Sequence, residues 1–185
     1  MGRPGQSEVM RLPTSLSSDQ LTIYLNDHLA GSTFGLELAR RTLSANRGNE
    51  FAGFLEALAA EIEDDRSELE RFFDRLAVPK DRAKLTAGWF AEKVGRLKLN
   101  GRLVGYSPLS RLLELEGLSG GVRAKLDLWR ALRAIAPEEP RLDQGRLDQL
   151  IGRAESQLER LASIQARAAA LALAQPRTSV RTDGG

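Results

Sequence analysis

Glu61, Asp64 and Asp65 lie within five residues of one another, and Glu61 and Asp65 are four apart. On a helix that spacing puts both carboxylates on or beside one face. Carboxylates so placed can hold a divalent cation such as Mg²⁺ or Mn²⁺ with water, do acid–base work, or pair with cations of the protein itself. Glu92 and Arg96 repeat the four-residue spacing, and Lys125 falls inside an otherwise apolar series. The chain has no cysteine and one histidine, His28. Thiolate metal sites, iron–sulfur ligation, disulfides and cysteine nucleophiles are thereby excluded, as is the paired-histidine zinc helix. His28 has no second histidine and no Ser–Asp pattern beside it, so it reads as a hydrogen-bonded histidine of helix packing. Gly101-x-x-x-Gly105 lacks the following Lys-Ser/Thr and the preceding strand of a phosphate loop.

Five segments of helical period must position these groups. The first, 19–45, has Ser17 or Ser18 as cap and the series Leu25, Leu29, Ser32, Leu36, Ala39 and Leu43. Asn46 to Asn49 ends it, with Gly48 suited to a left-handed terminus. The second, 50–77, carries Phe51, Leu55, Leu58, Ile62, Asp65, Leu69, Phe72 and Leu76, alternating steps of four and three, and Pro79 stops it. The third, 80–104, carries two neighbouring stripes, with Trp89, Glu92 and Arg96 in one of them. The fourth, 107–136, has Ser107 as cap and Pro108 at its first position, then Leu115, Leu118, Val122, Lys125, Trp129 and Leu132 on one face. Gly120-Gly121 is a place for it to kink or divide. The break at 137–141 leads to a fifth segment, 142–174, with Leu147, Ile151, Ala154, Leu158 and Leu161. Trp89 and Trp129, spaced among leucines, read as core. No segment alternates with period two, so no sheet is expected.

The expected fold is all-α: an antiparallel four-helix bundle over 19–136 with an additional long C-terminal helix, 142–174. The Gly-, Pro- and Ser-rich 1–18 reads as a disordered arm and 175–185 as a disordered tail. The chain's 185 residues suit one domain, and its 42% apolar share can fill a core without staples. The net charge of +2 is a weak nucleic-acid signal. Segment 50–76 is strongly acidic and 80–106 strongly basic, so the basic helix reads as answering its acidic neighbour, with no base-stacking aromatics to make it a nucleic-acid face. Lys93, Arg96, Lys98, Asn100 and Arg102, followed by Tyr106 and Ser107, form a candidate anion site at the start of the fourth helix. No signal peptide and no membrane-length apolar run is visible, and a cytoplasmic protein is expected.

Tyr24-Leu25-Asn26, Leu29, Gly31 and Ala39-Arg40 in the first segment, with Glu61, Asp64 and Leu69-Glu70-Arg71 in the second, resemble the opening helices of the ferritin-like superfamily, of the bacterioferritin and rubrerythrin type. Over 80–136 the resemblance rests on order, length and Lys125-Leu126-Asp127. It implies a four-helix bundle around a di-iron centre held by a Glu on the first and third helices and a Glu-x-x-His on the second and fourth. At those positions this sequence has Ser32, then Glu61 and Asp64, then Glu92, then Val122 and Lys125. Serine is a poor ligand for a divalent ion, valine is none, and an ammonium repels one. The resemblance therefore implies a scaffold whose iron site is lost. An interior salt-bridged cluster of Glu61, Asp65, Glu92, Arg96 and Lys125 is expected in its place, tolerable when every charge is paired.

The sequence thus points to a non-enzymatic protein without metal or cofactor that works through association. A homodimer or another helical partner is expected, with no membrane and no nucleic acid. A second reading is an enzyme or metal sensor of the carboxylate-metal class using Glu61, Asp65 and Glu92 with His28. A third is an anion or nucleic-acid binder through 80–104.

Overall fold

The computed structural model describes residues 18–81 and 106–174. Four helices account for most of them: α1 (Ser18–Asn46), α2 (Ala52–Leu76), α3 (Pro108–Ile135) and α4 (Gln144–Leu173). No strand occurs among the described residues. Of the expected helix at 80–104, Lys80 and Asp81 are described and are not helical, and 82–104 lies outside, with Trp89, Glu92, Lys93, Arg96, Lys98, Asn100 and Arg102. The expected arm and tail also fall outside, apart from Ser18.

The helix ends follow local chemistry. Ser107 caps α3, its hydroxyl accepting from the Ser110 N–H at 3.1 Å, with Pro108 in the first turn. Asp143 caps α4 by accepting from the Arg146 N–H at 3.0 Å, so that helix starts two residues later than its apolar pattern. α2 closes on Ala77, a left-handed residue at φ 54°, where the Val78 N–H returns to the Phe73 carbonyl. The α1–α2 turn corrects an expectation: Gly48 is not left-handed. Side chains do the work there. Asn49 Oδ1 accepts from the Phe51 N–H at 2.9 Å, and Asn49 Nδ2 donates to Asn46 Oδ1 at 2.9 Å. Nor do Gly120 and Gly121 divide α3, which runs unbroken.

One apolar core joins all four helices. Every member of the α2 series from Phe51 to Leu76 is buried, Asp65 included. On α3 the buried residues are Leu112, Leu115, Leu118, Val122, Leu126, Leu128, Trp129 and Leu132. α4 contributes Leu147, Leu150, Ala154, Leu161 and Ala168, and so forms a wall of the same core as α1, α2 and α3. Burying a Leu or Phe side chain is worth about 1.5–3 kcal/mol, and this core sums many of them. The backbones come close between α1 and α2, α1 and α3, and α3 and α4. The α1–α3 approach is tight at Gly117, where an added Cβ would lie 3.1 Å from Leu38 Cδ2. Between α2 and α4, ion pairs of long side chains flank the shared core.

Candidate functional site

Three polar residues occupy core positions at mid-bundle, one on each of three helices. Asp65 sits in the α2 series between Ile62 and Leu69, Lys125 in the α3 series between Val122 and Trp129, and Gln157 on α4 between Ala154 and Leu161. The Asp65 side chain is 2% exposed, Lys125 15%, and Gln157 is fully buried. Each sits where a leucine of the stripe would otherwise point inward.

Their groups satisfy one another. Asp65 accepts from the Lys125 ammonium and the Arg153 guanidinium, and from Gln157 Nε2 at 3.1 Å. Lys125 Nζ also donates to Gln157 Oε1 at 2.6 Å. The second amide hydrogen of Gln157 goes to Glu61 Oε2 at 3.0 Å, which also accepts from Arg160 Nη2 at 2.6 Å. The Gln157 amide thus donates twice and accepts once. A buried charge left alone would cost far more than the fold can spare, whereas charges paired in this way are tolerable, with Arg153 Nε the one buried donor of the layer left without a partner.

The electrostatics have definite signs. Burial pushes the Lys125 ammonium below its usual value, the Arg153 charge adds to that, and Asp65 and Glu61 oppose it. Burial pushes the Glu61 carboxyl up, but hydrogen bonds from Arg160 and Gln157 and the charges of Arg160 and Arg153 outweigh it and leave it below the usual range. Glu68, one turn beyond Asp65, behaves alike: burial raises it, and Arg146 and Arg71 win.

A row of arginines frames this layer. Arg146, Arg153, Arg160 and Arg167 are spaced by seven along α4. Each meets a carboxylate of α2 or of the turn before it: Glu68, Asp65, Glu61 and Glu50 respectively. Seven residues are two helical turns, so the row stays on one flank. Of the interior cluster the sequence reading expected, Asp65 and Lys125 meet directly and the half-buried Glu61 joins them through Gln157. Glu92 and Arg96 lie outside the described residues. The reading missed Arg153, Gln157 and Arg160, although the arginine period was there to be seen. An arginine flanking an apolar stripe reads as solvated surface unless the opposite helix is known to be acidic.

The other positions singled out by the resemblance scatter. Ser32 turns its hydroxyl back to the Leu29 carbonyl at 2.7 Å. Asp64 is exposed and Val122 is buried among apolar residues. With Lys125 and Arg160 holding the carboxylates, these residues do not fit a di-iron centre. Among the described residues no group of three or more His, Cys, Asp or Glu side chains is placed to hold a metal ion. His28 stacks edge-on with Tyr24 at 4.6 Å. Burial pushes the imidazole below its usual value, against the pull of Asp27 and Asp127.

At the end where α1 finishes and α3 begins, a second polar knot forms. The buried Asn46 donates to the Tyr106 hydroxyl at 2.6 Å and accepts from Arg111 Nε at 2.5 Å. Tyr106 donates onward to Glu114 Oε2 at 3.0 Å. Burial and the Glu114 carboxylate push the phenol up to about 12. Ser107 and Tyr106, the described members of the candidate anion site, are thus engaged within the protein, and Glu114 brings a negative charge beside them.

Comparison with known proteins finds no matching family model, no matching curated protein and no matching solved structure.

Proposed function

We propose that this chain is a ferritin-like antiparallel four-helix bundle without a functional di-iron site, and that it acts as a structural or interaction protein rather than as an enzyme. The bonded layer of Asp65, Lys125 and Gln157 carries this reading. An ammonium occupies the interior position where the resembling family places a ligand of a divalent ion, and the neighbouring carboxylates are spent on cations of the chain. Facing residues support opposite directions for α1 and α2, and for α2 and α4. Along α1 and α2, Arg40 meets Glu63 across their shared turn. Numbers rise on α2 from Glu61 to Glu68 as their partners fall on α4 from Arg160 to Arg146.

In this reading the charges hold the helices in one register, as a polar residue at a core position does in coiled coils. The protein then works through association with a second copy or another helical partner. Leu171 and Leu173, 53% and 65% exposed near the end of α4, are available for such a contact. No helix among the described residues is long and apolar enough to cross a membrane, which is compatible with the cytoplasmic location proposed here.

Elemental analysis of protein purified without chelator tests the proposal. The expected result is far less than one iron or manganese per chain, and the same melting temperature with and without a chelator. Stoichiometric metal, or a melting point that falls on chelation, overturns it.

A further inference from the structure

The α2–α4 seam differs in kind from the other helix junctions. α1 with α2, α1 with α3 and α3 with α4 bring their backbones together. The α2 and α4 backbones stand further apart, and beside the apolar core they share, arginine–carboxylate pairs reach from one helix to the other. Every arginine of the seven-residue row has its acidic partner across this seam.

We infer that this seam is a joint: neutralising the acidic row lets α2 part from α4, while the α1–α2 and α3–α4 hairpins stay paired and turn about the α1–α3 contact. The inference goes beyond the proposed function, since a bundle could hold its register and associate without ever opening. The facing charges can be named throughout. Asp65 meets Lys125 from α3 and Arg153 and Gln157 from α4. Glu61 meets Arg160 and Gln157 from α4. Glu68 meets Arg146 from α4 and Arg71 from its own helix. Glu50 meets Arg167. Protonating the carboxylates leaves Arg146, Arg153, Arg160, Arg167 and Lys125 on one side of the seam facing neutral acids. The attraction across the seam is lost, and the cations repel one another. The other junctions carry fewer such pairs: Arg40–Glu63 for α1–α2, Arg41–Glu114 for α1–α3, and Arg130–Glu155 with Arg133–Asp148 for α3–α4. Arg40–Glu63, Arg130–Glu155 and Arg133–Asp148 are largely exposed and worth little, as is Arg167–Glu50 at the end of the seam, and close backbone packing stands behind the first three.

Distances between spin labels test the joint. The chain has no cysteine, so introduced pairs are the sole attachment points. Glu56→Cys with Ser163→Cys spans the seam, Ser44→Cys with Glu56→Cys spans α1–α2, and Glu116→Cys with Ser163→Cys spans α3–α4; all four positions are exposed. The pH is lowered from about 7 to about 3, across the carboxylate range. The expected result is a longer, broader 56–163 distance while the other two distances and the far-ultraviolet helix signal hold. Adding Arg160→Gln to the seam pair shifts the midpoint of opening up by about one pH unit. A 56–163 distance unchanged down to the lowest pH overturns the inference. So does simultaneous lengthening of all three pairs with loss of helix, which is ordinary acid unfolding.

Discussion

Lys125 shows how much depends on a single side chain. Replacing it with alanine leaves Gln157 Oε1 without its donor and Asp65 with Arg153 as its one remaining cation. The expected loss is about 3–5 kcal/mol, because breaking one side of a buried pair costs more than the pair itself contributes. The triple change Lys125→Met with Asp65→Leu and Gln157→Leu removes both charges and the buried amide and keeps the volume filled. It is expected to melt within about 1 kcal/mol of the parent or above it, since Arg153, 28% exposed, can turn its charge to water. Thermal melts of the three proteins decide the matter, and a Lys125→Ala protein as stable as the parent contradicts the network. Ala77 offers a prediction of the opposite sign. It is the lone non-glycine at positive φ among the described residues, and it is exposed. Ala77→Gly relieves the Cβ clash of a left-handed residue and is expected to raise stability by about 0.5–1 kcal/mol in denaturant titration.

Among the helices, legibility depended on how each face is used. The α2 series could be read in full because its apolar residues are large, recur at four and three, and face a core without a small neighbour. α1 was harder. Leu38 lies off the expected stripe yet is buried, because Gly117 on α3 leaves room for it. Thr42 and Asn46 are buried too, and their polar groups are satisfied one turn back at the Leu38 and Thr42 carbonyls, which no periodicity reveals. Lys125 was legible as a charge among apolar neighbours, whereas its partners on α4 were not, because pairing across 32 residues is a property of the fold. The glycines of α3 give this contrast a test. Gly120 faces open space, so Gly120→Ala is expected to gain about 0.5–1 kcal/mol of helix propensity. Gly117→Ala must push Leu38 aside, so its gain is expected to be smaller or reversed, and equal shifts in the two melting curves would count against the close α1–α3 approach.

For the whole molecule, stability should follow pH in a way that the individual groups dictate. Glu61 and Glu68 sit below the usual carboxylate value of 4.5, because their arginine bonds outweigh burial. Glu139 is held down to about 2 by its hydrogen bonds from Arg141. Below 4.5 the unfolded chain binds protons that the folded chain refuses, so stability falls as the pH drops towards these lower values. His28, lowered by burial, begins the decline earlier, from its ordinary 6.5. On the alkaline side Tyr106 is raised from 10 to about 12, so the unfolded chain ionises first and stability falls as pH rises through that window. Lys125, lowered by burial, acts in the opposite sense there, and the difference between parent and Tyr106→Phe isolates the phenol. Melting temperature is expected to be highest between about pH 6.5 and about pH 10, with a weaker alkaline decline in Tyr106→Phe. A parent and variant with superimposable alkaline limbs would rule out the Tyr106 contribution.

The arginine row also bears on how this chain can change length. One residue inserted into α4 between Arg146 and Arg153 swings everything beyond it by about 100° about the helix axis. Arg153, Arg160 and Arg167 would leave their carboxylates together, and Gln157 would leave the core with them. Deleting one residue does the same in the other sense. Insertions or deletions inside this helix are therefore expected to survive selection in blocks of seven.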